Sequence, residues 1–182
     1  HNGFYPLGYP LLLKLLLGVG TPDRTGFWIS HLASIAVLAA AWRIAVPLLP
    51  RARALLALAF VALHPLCFNY YSTAGVDPAS MAFFLWGFVL ALRALERDAE
   101  RAPGGRRDPR VRWLALAAGI LFGLSGLLRY HALVAGGLAL AALVPAYRRL
   151  GPVAIAGAGM ALAYSPQIAL NAVLGLPPLY TN

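Results

Sequence analysis

Long apolar runs, separated by short polar stretches, make up most of this chain. An α-helix needs about 20 mostly apolar residues to cross a membrane. Six runs come close to that length, and aromatic, proline or basic residues mark their ends. The pattern therefore predicts an all-α protein, a polytopic bundle of about six transmembrane helices. The predicted spans lie at about residues 27–48, 54–71, 77–93, 111–128, 132–147 and 153–173.

A shorter apolar run precedes these spans at residues 7–18 and carries Lys14. It has only about a dozen residues, too few to cross a membrane. An interfacial or re-entrant helix fits better, with the lysine reaching the head groups. We expect this helix to lie in an outer juxtamembrane segment, residues 1–26. The tail at 174–182 is expected to begin another outer loop, so that 1–182 is a single transmembrane domain.

The stretch 93–112 is the only long polar run, and we predict a loop there. It holds seven of the fifteen basic residues. Loops rich in Lys and Arg stay on the cytoplasmic side. With this loop inside and the spans alternating, twelve of the fifteen basic residues are cytoplasmic; the exceptions are Lys14, Arg24 and Arg129. The pattern thus predicts a multi-pass protein of the inner (plasma) membrane, with these three basic residues outside the cytoplasm.

Composition agrees with a membrane protein: 60% of the residues are hydrophobic and 12% are charged. A soluble domain carries about twice that charge. The net charge of +9 comes mainly from arginines that set topology and meet anionic head groups. We therefore expect membrane lipids as partners and no nucleic acid. Cys67 is the only cysteine, which excludes an internal disulfide or a cysteine-based zinc site, and no nucleotide-binding or hydrolase motif occurs.

Asp77 stands out on the predicted outer face, where acidic residues are scarce and Asp23 is the other one. A carboxylate there can bind a divalent metal or orient an acceptor hydroxyl. The Asp77-Pro78 pair also fits a helix N-cap followed by proline at the first helical position. Both interpretations stay open, and they are compatible.

Further polar residues on this face are candidates for binding a substrate. Arg129 breaks the positive-inside pattern and is available for a phosphate, although an arginine that snorkels to the interface is the alternative. His131 follows it in the same short turn. Lys14 can attract an anionic head group or simply snorkel. The remaining candidates are Tyr5, Tyr9 and Asn171, and the two tyrosines also fit an aromatic belt.

Four segments, in this order, resemble multi-span GT-C glycosyltransferases, which include the protein mannosyltransferases and the aminoarabinose transferases. Residues 3–16, GFYPLGYPLLLKLL, are similar to their juxtamembrane segment after the first outer loop. Residues 62–92, ALHPLCFNYYSTAGVDPASMAFFLWGFVLAL, are similar to a helix, a short outer loop and an Asp-led helix. Residues 123–136, GLSGLLRYHALVAG, resemble a small-residue span that ends in a basic turn. Residues 165–180, SPQIALNAVLGLPPLY, resemble a later span that brings Asn and Gly-x-Pro to the outer face.

This resemblance implies an enzyme that transfers a sugar from a polyprenyl-phosphate carrier to a lipid, polysaccharide or protein acceptor outside the cytoplasm. It also implies that a divalent metal is required or assists. Asp77 would match the second outer acid, which positions the metal or the acceptor, and Arg129 and Lys14 would contact the carrier phosphate. In such enzymes the catalytic carboxylate lies in the first outer loop, so the main base is expected upstream of His1. Because the chain opens on His1 with neither a methionine nor a signal peptide, we expect an N-terminally truncated fragment.

Two other classes of membrane protein stay open on the sequence. A transporter or flippase of a lipid-linked substrate would use the same entry helix and the broken spans at His64-Pro65 and Ser165-Pro166. Transporters, however, place polar groups near the bilayer midplane and often carry internal repeats. A non-catalytic membrane subunit would leave Asp77 and Arg129 without a role.

Overall fold

The computed structural model describes residues 7–16, 22–63, 75–100, 108–147 and 150–177. Regular structure in these ranges is helical throughout, which confirms the predicted all-α class. In chain order the helices are α1 (Gly8–Leu16), α2 (Pro22–Ala45), α3 (Arg51–Leu63), α4 (Asp77–Ala99), α5 (Pro109–Leu128), α6 (Tyr130–Leu143), which continues into a 3₁₀ turn (Val144–Ala146), and α7 (Gly151–Val173).

Four helical segments in the described ranges are long and apolar enough to cross a membrane. They are Arg24–Ala45, Asp77–Ala99, Pro109–Leu128 and Gly151–Val173. These segments fall on the first, third, fourth and sixth predicted spans and confirm a helical membrane bundle. The predicted second span begins as α3, and its part beyond Leu63 lies outside the described residues.

The fifth predicted span, at about 132–147, corresponds to a helical segment that is shorter than the four spans above. The apolar segment Tyr130–Ala146 falls below the length of the four spans. At 1.5 Å per residue it is about 25 Å long, less than the ~30 Å hydrocarbon core. Pro145 contributes to this early end, because proline has no N–H to continue the α-helical hydrogen bonds.

The predicted basic loop at 93–112 is helical at both ends, so the break between helices is much shorter. Helix α4 continues through Arg93 and Arg97 to Ala99, because Ala94 on this turn is fully buried against Val111 and Tyr147. Helix α5 then begins at Pro109. Asp108 caps it, since its side chain accepts a hydrogen bond from the Arg110 N–H at 2.9 Å. Several arginines expected in a loop therefore lie on helix ends.

Helix α5 is the centre of the bundle and packs against α4, α6 and α7. One buried cluster joins all four helices through Phe122, with Phe84, Leu140 and Ala156 around it. Small residues allow the close approach of α5 and α7: a Cβ added at Gly159 would lie 2.7 Å from the Leu116 carbonyl oxygen. Gly119 and Gly123 on α5 lie equally close to α7. Around Gly157 a Cβ would meet nothing within 4 Å, because this residue faces away from α5.

Candidate functional site

Because neighbouring helices run in opposite directions, one end of the bundle collects the starts of α2, α4 and α6 and the ends of α5 and α7. Helix α1 packs against this same end. The Leu7 N–H donates a hydrogen bond to Gln167 Oε1 at 2.9 Å, and Gly8 lies directly against the Leu127 backbone. The polar residues that were predicted for the outer face and that the structure describes belong to this end.

Asp77 and Arg129 form an ion pair here, with 2.6 Å between Arg129 Nε and Asp77 Oδ1. Asp77 is in the first turn of α4, and Arg129 is the residue at which α5 ends and α6 begins. The Arg129 backbone is extended, and its N–H donates to the Ser125 carbonyl at 2.9 Å. The side chains are 26% and 38% exposed for Arg129 and Asp77, so the pair sits at the edge of the bundle. Sequence patterns had selected each residue separately and had not paired them.

The alternative role of Asp77 as a helix N-cap is wrong in this structure. The cap position is Val76, no side chain caps the helix, and the Ser80 N–H bonds the Val76 carbonyl at 3.0 Å. Asp77 is the first helical residue, followed by Pro78. Its carboxylate still faces the positive end of the helix dipole, which is favourable, and its partner is the Arg129 guanidinium.

The ion pair lies at the mouth of a cleft of about 260 Å³ between α4 and α6. Its polar lining residues are Asp77, Ser80, Arg129 and His131, and its apolar ones are Met81, Phe84, Ala132 and Ala135. On α4, the lining residues recur at helical spacing from Asp77 towards the bundle centre, so polarity falls with depth. Met81 is 51% exposed, which opens the side of the cleft to the lipid-facing surface. This arrangement suits a ligand with an anionic head and an apolar tail.

His131 lines the same cleft as Asp77 and Arg129, and its predicted contact with substrate stays a prediction. Its ring is exposed and lies edge-on to that of Tyr130, with ring centroids 5.2 Å apart. An imidazole in this place can donate a hydrogen bond to a phosphate or a sugar hydroxyl.

Two serines that sequence reasoning missed join α4 to α5 directly below the ion pair. Ser125 Oγ donates to the Ser80 carbonyl at 2.8 Å, Ser80 Oγ lies 3.2 Å from the Ser125 carbonyl, and the two hydroxyls are 3.1 Å apart. Both side chains are buried. Hydroxyls in apolar helices often bond across a helix interface, and this was the available signal. These contacts between Ser80 and Ser125 set the register of the two helices that carry Asp77 and Arg129.

A third serine positions the backbone just before Asp77. Ser30 on α2 is fully buried, and its hydroxyl accepts from the Gly75 N–H at 3.0 Å and donates to the Gly75 carbonyl at 3.1 Å. Val76, next in the chain, is buried against Ile29 and Leu128. The start of α4 is thus held from two sides, by α2 and by α5.

The other predicted substrate-binding residues lie away from the cleft lining or outside the described residues. Tyr9 packs against the cluster that contains Val76 and Leu128, close to the start of α4. Lys14 is exposed on α1 and does not line the cleft. Tyr5 lies outside the described residues. Their roles stay predictions.

Asn171 is 2% exposed, and its side chain is used within the fold. Its Oδ1 accepts from Gln167 Nε2 at 3.0 Å, and its Nδ2 donates to the Pro177 carbonyl at 3.2 Å. Since Gln167 also receives the Leu7 N–H, this pair ties the end of α7 to the chain that leads into α1. The predicted contact of Asn171 with substrate is untested, and Gln167 is a partner that the sequence did not reveal.

The arrangement around Asp77 does not fit a preformed metal site. In the part of the chain that the structure describes, no group of three or more His, Cys, Asp or Glu side chains is placed to hold a metal ion. A divalent cation on the Asp77 carboxylate would also meet the Arg129 guanidinium 2.6 Å from that oxygen. The metal expected from the resemblance would need further ligands, and its role stays a prediction.

A family model for dolichyl-phosphate-mannose-protein mannosyltransferases matches residues 5–169, nearly the whole chain. The chain belongs to this mannosyltransferase family. The match includes both helices of the cleft and ends two residues before Asn171. The family and the apolar helices identify a membrane protein of the GT-C glycosyltransferase type, as the resemblance implied. Comparisons of this chain with curated proteins and with solved structures find no significant match.

Proposed function

We propose that this chain is part of an integral-membrane glycosyltransferase that moves a sugar from a polyprenyl-phosphate-linked donor to an acceptor on the outer face of the membrane. The acceptor is a lipid, a polysaccharide or a protein. The family supports the reaction class and a lipid-linked donor. The observation that carries the proposal is the Asp77–Arg129 pair at the mouth of a cleft with an apolar interior.

In the proposed reaction the bond between the anomeric carbon and the carrier phosphate oxygen breaks, and a bond from that carbon to an acceptor oxygen forms. The carrier phosphate leaves with the electron pair of the broken bond, so it needs a cation nearby. Arg129 supplies a permanent positive charge with several donors for phosphate oxygens. His131, on the same rim, adds a donor, and Lys14 is a further candidate.

Binding of the phosphate would change the role of Asp77. As the guanidinium turns towards the phosphate, the carboxylate loses part of its internal partner and can accept a hydrogen bond from an acceptor hydroxyl. Asp77 therefore positions the acceptor, or a metal where the full protein supplies further ligands. The proton of the acceptor hydroxyl goes to a separate carboxylate base, such as the acid in the first outer loop that the resemblance implies.

The apolar part of the cleft gives the carrier tail a place next to the bilayer. Met81, Phe84 and Ala135 follow the polar mouth towards the bundle centre, and Met81 reaches the outer surface. The polar residues that line the cleft lie at one end of the helices rather than near the middle of their length. This placement favours a transferase over a transporter, whose polar site is expected near the bilayer midplane.

The test is sugar transfer from a polyprenyl-phosphate donor by the full-length protein with Asp77→Asn. We expect this variant to insert and fold but to lose most of its activity, because the amide cannot replace the carboxylate charge. Asp98→Asn, at the opposite end of α4, is the matched control and should keep wild-type activity. Wild-type turnover by Asp77→Asn would contradict the role given to this residue, whereas absence of any transfer by the wild type under these conditions would favour a non-catalytic subunit.

A further inference from the structure

A second concave surface lies at the opposite end of the bundle, between α2, α3 and α4. It is a groove of about 440 Å³ whose lining residues are all apolar. Helix α2 and the turn after it form one wall, α3 forms the other, and α4 forms the floor. Representative lining residues are Ala41, Ala45, Leu48, Ala57, Val61 and Leu85. A groove of this composition accepts a hydrocarbon chain and offers no hydrogen bonds to a polar ligand.

Three arginines are close in sequence to the residues that line this groove. Arg43 is next to lining residues on α2, and Arg51 and Arg53 are in the first turn of α3, between the lining residues Leu49 and Ala57. All three side chains are exposed. Within the described residues none of the three has an ion-pair partner.

The local sequence does not neutralise these arginines. Residues 24–76 contain neither Asp nor Glu, and the first turn of α3 has no acidic residue. The acids at this end of the bundle belong to the end of α4 and to the start of α5, where arginines accompany them. The groove thus combines an apolar interior with an unneutralised positive rim.

The dimensions of the groove match one leaflet of a bilayer. From Arg51 to Val61 helix α3 rises about 15 Å, which is half of the ~30 Å hydrocarbon core. An acyl chain whose head group sits at the arginines would end near Val61 and Leu85, at mid-depth. A carrier whose phosphate sits at the Asp77 end would have to enter from the opposite leaflet.

We propose that this groove binds one anionic glycerophospholipid of the leaflet at the basic end. One acyl chain lies along α3, and the phosphate contacts Arg43, Arg51 and Arg53. Juxtamembrane arginines attract anionic lipids of the cytoplasmic leaflet in general. The groove beside them makes the interaction a defined site with a stoichiometry of one. The proposal does not depend on the reaction assigned to the Asp77 cleft.

The experiment uses the full-length protein in detergent, titrated with phosphatidylglycerol or with phosphatidylcholine of the same chains. Native mass spectrometry counts bound lipid, and thermal unfolding reports stabilisation. The test variant carries Arg43→Gln, Arg51→Gln and Arg53→Gln together. The matched control carries Arg93→Gln, Arg97→Gln and Arg112→Gln, which remove the same charge from exposed positions at the same end. A third variant, Ala57→Leu, adds bulk to the groove and leaves its charge unchanged.

We expect one tightly bound phosphatidylglycerol in the wild type and the control, and a Kd about a hundredfold weaker in the test variant, since each arginine near a membrane contributes about fivefold. Ala57→Leu should lower occupancy in the same way. Equal binding of phosphatidylcholine would overturn the proposal, because hydrophobicity alone would then explain the bound lipid. Equal loss of binding in the control would also overturn it, because net charge alone would then explain the bound lipid. Displacement of phosphatidylglycerol by one equivalent of polyprenyl phosphate would also overturn it and assign the groove to the carrier.

Discussion

Removal of the Asp77–Arg129 ion pair has a predictable effect on the stability of the bundle. At an effective dielectric constant of about 20, two charges about 4 Å apart attract by about 4 kcal/mol. Holding two side chains in one geometry and removing part of their water offset most of this gain. With 26% and 38% of the side chains exposed, the pair lies closer to a surface salt bridge than to a buried one. We therefore expect a net coupling free energy of about 1 kcal/mol.

A double-mutant cycle measures this coupling. The full-length protein with Asp77→Asn, with Arg129→Gln and with both substitutions is unfolded reversibly in detergent, and the coupling is the departure from additivity. The control cycle combines Arg129→Gln with Asp98→Asn at the far end of α4, and it should be additive within about 0.5 kcal/mol. High salt should weaken the coupling in the first cycle, because the pair is partly exposed. Additivity in both cycles would refute the ion pair, and a coupling above about 3 kcal/mol would refute its placement at the edge.

Three further changes test the packing that positions the cleft. Ser80→Ala and Ser125→Ala should each cost about 1 kcal/mol of unfolding free energy, because each hydroxyl bonds the backbone carbonyl of the other serine. The double variant should cost about the sum of the two, since both carbonyls remain in the single variants, and a neutral effect of either substitution would contradict the bonds. Gly159→Ala should lower the free energy of unfolding by about 2 kcal/mol, because its Cβ would lie 2.7 Å from the Leu116 carbonyl oxygen. Gly157→Ala is the control: with open space around it, this variant should be neutral or slightly stabilising in the same assay. Gly8→Ala should loosen α1, because a Cβ there would lie 2.5 Å from the Leu127 carbonyl oxygen. Tryptic cleavage after the exposed Lys14 of α1 should then become faster than in wild type. Gly137→Ala, with nothing nearby, is the control, and equal cleavage of all three proteins would contradict the contact.

The helical class and the grouping of polar residues at one end could be predicted because both follow from local patterns. Apolar length determines which segments can span a membrane, and the number of spans between two residues determines whether they share a side. Asp77, Arg129 and His131 were therefore predicted to share one side, and the structure places them in one cleft. Their selection needed only that charged residues are rare there.

The pairing of Asp77 with Arg129 could not be predicted in this way. It depends on the register of α4 against α5, which the contacts of Ser80 with Ser125 and of Gly87 with Phe122 determine. These contacts join residues that are far apart in the sequence. A single sequence shows which residues are small or polar, and it does not show which of them meet.

The helix ends differed from prediction for a related reason. Charged residues at 93–100 suggested a loop, although Ala94 on the same turn is completely buried and keeps α4 helical. Asn171 looked available on an outer face, but Gln167 and the Pro177 carbonyl take up its amide. In both cases a tertiary contact decided the outcome over the local pattern.

The dependence of transfer rate on donor concentration shows whether the cleft binds the phosphate of a lipid-linked sugar donor. It should be measured for the full-length wild type, for Arg129→Gln and for Arg24→Gln, an exposed arginine at the same end that does not line the cleft. We expect Arg129→Gln to raise the donor KM at least tenfold and Arg24→Gln to leave it unchanged, since a charged hydrogen bond contributes about 1.5–3 kcal/mol. A wild-type donor KM in the Arg129→Gln enzyme would contradict binding of the donor phosphate in the cleft.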